Sequence, residues 1–431
     1  MSNFGDHPTG FFGQSEFYNG VVTTSLRFDK AGGNYLHRTP SSTGNRRTFT
    51  FAFWFKTAEV FNSEANDQNN VIIYVDEPDG GGFFGLNISG QGQGAATDTV
   101  NELTYYDFDS GDSTDYSLET NRAFADPSAW YHIVVAFDTT QGTEANRVKY
   151  YVNGVQLDYT SMNAHHAAVV QNRELNVNQQ TPHWIGRNVD TTSRYMNGYL
   201  ADFNFVDGTQ YAASDFGEFK NGIWMPIDPS VTYGTNGFRL QFKNTGTGTA
   251  SASTIGADTS GNTHHFTSNN LAVSDSNMPD SPENNFATWN VNDLNHRAEL
   301  VEGNLKLQAT TYSTSGAGGG NFGFATGTIS LPSSGKFYVE ALHRKHAGTG
   351  NISSLGVMNR NQADTTGNVG AYFQADNTGG EGFDGIQVST GSGDSSYFLS
   401  RNDGNEEYRT TQDDETNHIS ALAIDIDNGY I

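Results

Sequence analysis

Acidic, aromatic and histidine side chains gather at a few places in the sequence, and their spacing decides what chemistry each place allows. The densest acidic run is DFDSGDSTD, with Asp107, Asp109, Asp112 and Asp115. Alternation along a strand puts Asp107 and Asp109 on one face. Carboxylate oxygens suit a hard cation, so Asp107, Asp109 and Asp112 are candidate calcium ligands. The glycine and glutamate placement of an EF-hand loop is missing, and a solvated hairpin turning at Gly111 explains the same residues. A second group is aromatic. Tyr105, Tyr106 and, within HWIGRN, Trp184, Arg187 and Asn188 combine flat apolar faces with hydrogen-bonding groups, as a sugar ring requires. Core packing is the competing role for each. The adjacent pairs His165-His166 and His264-His265 point to opposite faces if extended, so neither chelates one metal easily. No G-x-S-x-G elbow, phosphate-binding loop or dinucleotide fingerprint is present. GAGGG is followed by no helical pattern and reads as a loop.

Strands must position these groups. In TFTFAFWFK, Phe49, Phe51, Phe53 and Phe55 fall on one face and Thr48, Thr50, Ala52 and Trp54 on the other. WYHIVVAFD and RVKYYVNGVQL repeat the alternation, and Asn153-Gly154 marks a two-residue hairpin turn. GYLADFNFVDG places Tyr199, Ala201, Phe203 and Phe205 on one face, and GFRLQFKN does so with Phe238, Leu240 and Phe242. Many strands at short spacing without helical periodicity predict antiparallel sheets packed as a sandwich. A short helix is expected near NNFATWN. The small, polar stretch from residue 246 predicts a linker, and NLKLQ, KFYVEAL, SLGVMN, AYFQA and ISALAIDID begin a second β-rich region. The expected organisation is an irregular arm at 1–20, a sandwich at 21–245, a linker at 246–297 and a second sandwich at 298–431. In ALAIDIDNGYI, Asn428-Gly429 opens a turn that the last two residues only begin to leave, which predicts that the second sandwich continues past Ile431.

Composition narrows the function. The chain has 431 residues, 13% aromatics, 49 glycines and no cysteine, so it affords a packed core and excludes disulfides and thiolate metal sites. A net charge of −25 repels nucleic acid and anionic membranes. The N-terminus has no basic and apolar signal-peptide pattern, and no stretch approaches a membrane span.

The segments SLRFD (25–29), YLHRTPSSTGNRRTFTFAFWFK (35–56), AWYHIVVAFDTT (129–140), NRVKYYVNG (146–154), HWIGR (183–187) and GYLADFNFVDG (198–208) resemble, in that order, the laminin G-type (LamG) concanavalin A-like lectin/glucanase superfamily. They look most like versions found in tailed phages of marine bacteria. DSPENNFATWN, EGNLKLQ, SGKFYVEAL and ALAIDIDNGYI resemble the SPRY (B30.2) region that follows LamG in such proteins. The resemblance implies an all-β fold of tandem concanavalin A-like jelly-roll β-sandwiches with antiparallel sheets. Glucanases of this superfamily carry an E-x-D-x-x-E strand whose alternation supplies two catalytic carboxylates, and no such strand occurs here. The expectation is therefore a non-enzymatic virion structural protein on the particle exterior, a fibre, tail or capsid-decorating component that binds host-surface glycans. Expected partners are other virion subunits, further copies of the chain and a host glycan. No cofactor is required, and calcium is the ion the acidic run suits. A purely architectural virion protein and a polysaccharide-degrading enzyme are the alternatives.

Overall fold

Strict alternation of large apolar residues sorts the first part of the chain into two layers. In this computed structural model the described residues are 18–62, 69–76, 81–90, 100–109, 114–163, 166–190, 194–294, 298–309, 325–344, 353–358, 385–390, 396–402, 405–406 and 417–428. The chain divides into two units, Met1–Val291 with Leu300–Lys306, and Asn292–Glu299 with Leu307–Ile431.

Two seven-stranded sheets make the first unit. The first sheet contains β1 (Leu26–Phe28), β3 (Thr48–Thr57), β8 (Tyr131–Asp138), β9 (Val148–Val152), β10 (Val155–Gln156), β12 (Gly198–Asp207) and β15 (Phe238–Leu240). Its order is β1-β12-β3-β8-β9-β10, with β15 also pairing β12. The second contains β2 (Tyr35–Arg38), β4 (Asn69–Asp76), β5 (Gly82–Ser89), β6 (Glu102–Asp109), β7 (Thr114–Ala123), β11 (His183–Ile185) and β16 (Thr267–Asn269), in the order β16-β2-β11-β4-β5-β6-β7. All of these strand pairs are antiparallel. A separate hairpin, β13 (Gly217–Lys220) with β14 (Ile223–Pro226), lies against the first sheet through Trp224.

The inner faces form one core. Phe49, Phe51, Phe53 and Phe55 of β3 meet Phe84, Leu86 and Ile88 of β5 and Leu103 and Tyr105 of β6. Phe49 stacks on Phe137 at 4.5 Å, and Phe51 on Phe84 at 6.0 Å. Each such buried ring contributes roughly 2–3 kcal/mol of transfer free energy. Asn153 and Gly154 both take positive φ (48° and 81°) and turn β9 into β10, as the Asn-Gly pair predicts.

Three expectations need correction. The alternation along β12 breaks: the register shifts between Ala201 and Asn204, and Asp202 sits at φ 45°. Leu200, Phe203 and Phe205 therefore face the core, while Tyr199 and Ala201 face outward. A β-bulge moves side chains to the other face in this way, and no period-two count can see it. The short helix expected near NNFATWN is reduced to one 3₁₀ turn just after it, Val291–Asp293, and the helical pieces among the described residues are isolated 3₁₀ turns. The segment from 246 to 291 is part of the first unit. Its β16 extends the second sheet beside β2, and Ile255, Phe266 and Leu271 enter the core. Its polar composition serves local hydrogen bonds instead: Asp258 accepts from the backbone N–H groups of Arg239, Ser260 and His264 at 2.7–2.9 Å.

In the second unit, Lys336–Arg344 pairs with Asn417–Asp425, burying Leu422 and Ile424. Ser353–Met358, Gly385–Thr390, Ser396–Asn402 and Asn405–Glu406 form a four-stranded antiparallel sheet. The predicted loop at 316–320 and the predicted turn residue Gly429 lie outside the described residues.

Candidate functional site

The outer faces of the two sheets differ. That of the first sheet is sealed by the chain itself. Ala52, Val134 and Val206 pack against Ala213, Phe216, Trp224 and Tyr233. Beside them Trp54, Trp130 and Tyr199 pack against Val22. Lys56 is fully buried, and its Nζ donates to Asp280 Oδ2, Asn285 Oδ1 and the Phe286 carbonyl at 2.8–2.9 Å. Trp130 Nε1 donates to the other Asp280 oxygen at 2.9 Å. Burial lowers the Lys56 pKa, against the pull of Asp280. His132 is buried too, and burial lowers its pKa to about 3. Its Nδ1 accepts from Trp224 Nε1 at 3.0 Å, which fixes the neutral ring.

The second sheet presents a row of side chains to the outside. Thr267, His37, Trp184, Tyr74, Gly85, Tyr106 and Ser117 are register partners across all seven strands. His37, Trp184 and Tyr106 are half-buried, while Tyr74 and Ser117 form a buried floor. Phe83 and Phe108 are opposite each other one step along the strands, with centroids 5.7 Å apart. Tyr74 stacks on Phe83 at 5.5 Å, and its hydroxyl donates to Asp190. A Cβ at Gly85 would make only ordinary contacts with Asn87 and Tyr74, so the row has a low point between Tyr74 and Tyr106. Polar groups lie alongside. Glu119 accepts from Ser89 at 3.0 Å and Thr104 at 3.1 Å, and Asn87 Nδ2 is buried without a hydrogen-bond partner.

Arg187 sits at the β2 side of this face. Its guanidinium carbon is 4.9 Å from the Tyr35 ring centroid and 5.6 Å from that of Tyr195. Asn188 is buried, and its side-chain oxygen caps the Asp190 N–H at 2.8 Å.

The predicted sugar-contacting residues thus separate. Trp184, Tyr106 and Arg187 come to one open face, although Tyr106 and Trp184 are far apart in sequence. Tyr105 does not join them. It points into the core and is 1% exposed, because neighbours on a strand face opposite ways. Asn188 serves its own turn. Sequence reading missed Tyr35, His37, Tyr74, Phe83 and Phe108. Their alternation was legible, but the cross-strand register that aligns them was not.

The predicted calcium ligands are placed differently. Asp107 and Asp109 do share a face, but it is the inner one, and an arginine occupies it. Arg173 Nη2 binds Asp109 at 2.9 Å, and its Nε lies 3.7 Å from Asp107 Oδ2. Asp107 Oδ1 accepts from the Asn176 N–H at 2.5 Å. Burial nevertheless raises the Asp107 carboxyl to about 7, and the Asn176 N–H and Arg173 only partly oppose that rise. Asp112 lies outside the described residues. Among the described residues no three acidic or histidine side chains form a metal-sized group. His165 also lies outside them, and His166 faces Asp115 at 3.6 Å. His264 Nε2 donates to the Thr235 carbonyl, and His265 Nδ1 accepts from the Asp258 N–H, so the second pair is structural. A cavity of about 470 Å³ at another edge is lined by Arg46, Arg47 and Glu174, which pair with one another.

Residues 30–213 match the family described as the concanavalin A-like lectin/glucanases superfamily, laminin G type. Comparison with curated proteins gives no match. Among solved structures, the LG1-3 region of the laminin alpha2 chain is 14% identical, with a TM-score of 0.29, covering 45% of this chain and 33% of that one. The chain thus spans about a third of that fragment. The native heptameric SAP-like pentraxin from Limulus polyphemus is 13% identical (TM-score 0.27), covering 44% of this chain and 76% of that one. The catalytic domain of PdAgaC is 12% identical (TM-score 0.20), covering 37% and 53%.

Proposed function

We propose that the first unit is a non-catalytic glycan-binding module, and that the chain is a structural component on the exterior of a phage particle. The observation that carries the binding reading is the open outer face of the second sheet. Half-exposed Trp184, Tyr106, Phe83 and Phe108 offer flat apolar surfaces, and the unpartnered amide of Asn87 offers a donor for a ligand hydroxyl. An apolar floor with a few placed polar groups is the general form of a small-ligand site.

Within each strand of this face the acids lack the same-strand glucanase pattern, which supports binding without hydrolysis. On the outer face of the second sheet no strand carries two acids two residues apart. Asp115 and Glu119 share a strand four residues apart, which is about 13 Å of extended chain. Glycosidase carboxylates stand roughly 5–9.5 Å apart. The exterior position is supported by the phage-like sequence of the module. The second unit, with its two antiparallel sheets, is proposed to be a SPRY-like partner module. Weak sites repeated over many copies would supply avidity.

A glycan array probed with the full chain tests the binding reading, with Trp184→Ala as the control. Specific retention that this variant loses supports it, and silence across host polysaccharides overturns it. Release of reducing sugar would overturn the non-catalytic part. Antibody labelling of purified particles tests the location, and antigen confined to infected-cell lysate would overturn that.

A further inference from the structure

Arg187 differs from Arg27, Arg173 and Arg239 of the first unit in having no carboxylate beside it among the described residues. Arg27 holds Asp275 at 2.6 Å, Arg173 holds Asp109 at 2.9 Å, and Arg239 holds Asp202 at 2.7 Å. Arg187 is half-buried, yet no carboxylate pairs with it among the described residues, and its buried Nε has no hydrogen-bond partner. The rings of Tyr35 and Tyr195 lie against its guanidinium. A buried donor without an acceptor costs roughly 1–3 kcal/mol. In a chain of charge −25, a carboxylate partner would be easy to supply. The two rings hold the planar fork in place by cation–π contact, so little rotamer freedom remains to be lost on binding. Tyr35 is the neighbour of His37 on the open face, with centroids 6.0 Å apart, and His37 is the register partner of Trp184.

We propose that Arg187 is an oxyanion subsite at the rim of this face, and that the glycan bound there is acidic. The inference rests on the glycan-binding reading above and names its substrate class: a saccharide bearing a carboxylate or a sulfate ester beside a ring that stacks on Trp184. An arginine fork takes either group through two parallel N–H···O bonds. The overall negative charge limits the ligand further. It repels a dense polyanion over about a Debye length, roughly 10 Å at moderate salt. The ligand is therefore sparsely charged, with isolated anionic groups along a largely neutral chain.

Calorimetry with the full chain tests this. The probes are three oligosaccharides of equal length: neutral, uronate-containing and sulfated. The expected result is that at least one acidic oligosaccharide binds ten- to a hundredfold more tightly than the neutral one. Arg187→Gln should remove that margin. Arg187→Lys, which keeps the charge without the planar fork, should retain only part of it. In the wild-type chain, raising the ionic strength should shrink the margin, which checks the charge without any substitution. A margin for only one acidic probe identifies the group as carboxylate or sulfate. Equal binding of all three, or a margin that survives in Arg187→Gln, overturns the subsite and leaves the glycan reading standing. Failure of all three to bind overturns both.

Discussion

The two sheets of the first unit have the same strand count and opposite fates on their outer faces. The first is closed over by residues from the 209–233 and 271–290 stretches, which bury Lys56, His132 and Trp54. The second keeps Trp184, Tyr106 and His37 partly in solvent. Both faces carry tryptophan, tyrosine, histidine and lysine or arginine. What separates them is pairing. On the closed face Lys56 has three acceptors, and the Trp130 and Trp224 N–H groups have one each. On the open face Arg187 Nε and Asn87 Nδ2 have none.

The largest effect that contrast predicts is at Asp280. Asp280→Ala leaves the Lys56 ammonium buried with its charge uncompensated and removes the acceptor of Trp130 Nε1. The expected loss is about 3–5 kcal/mol, read from the midpoint of urea unfolding. Adding Lys56→Met to Asp280→Ala should recover roughly 2 kcal/mol, because the stranded charge is gone. A single variant that costs no more than the double would show that this pair does not hold the face shut. Trp54→Ala, beside it, should cost about 3–5 kcal/mol for the cavity it leaves.

Acid should attack the closed face and the core before the open face. A histidine whose folded pKa lies below its ordinary value takes up a proton on unfolding. The stability it supports is complete above 6.5 and drains away as pH falls. His132 is held at about 3 and His183 at about 4, both chiefly by burial. His183 is fixed neutral by its bonds: Nδ1 to the Thr181 carbonyl at 2.8 Å, and Nε2 accepting from the Asn178 N–H at 3.0 Å. Each contributes a slope of up to about 1.4 kcal/mol per pH unit between 6.5 and its folded pKa. Asp107 works in the other direction. Its folded pKa of about 7 exceeds the ordinary 3.8, so it favours the folded state more as pH falls through that window. The net expectation is a loss of roughly 1.4 kcal/mol per unit from pH 6.5 to 4. Urea titrations at several pH values check it. A flat profile would show that these two rings are not held neutral.

Much of this was legible in the sequence. The four phenylalanines of β3 and the Asn-Gly turn follow from alternation and local turn chemistry. The fold class was readable for that reason. Three features were not. The bulge at Asp202 reverses a face within one strand. The 246–291 segment looks like a linker because its apolar anchors are only Ile255, Phe266 and Leu271, spread through small polar residues. The candidate site depends on register. Trp184, Tyr74 and Tyr106 are each half of an ordinary alternating strand, and only the pairing of β11, β4, β5 and β6 makes them a row. Tyr105 and Tyr106 show the limit most directly. Sequence treats them alike, and the pleat sends one to the core and the other to the open face.

The smallest predicted effect on stability is the one that matters most for function. Trp184 has the same chemistry as Trp54, but it is half-exposed, and its tilted neighbour Tyr74 lies 6.3 Å away. Truncation there creates no enclosed cavity, so Trp184→Ala should change unfolding free energy by less than about 1 kcal/mol. The same change removes the largest flat surface on the open face, and glycan retention should fall at least tenfold. Trp54→Ala should invert that pattern in every molecule that stays folded, keeping the glycan affinity while losing stability. Measuring unfolding midpoint and glycan affinity for both variants separates the faces. If Trp184→Ala destabilises the chain as much as Trp54→Ala does, the second sheet's outer surface is packing rather than a site.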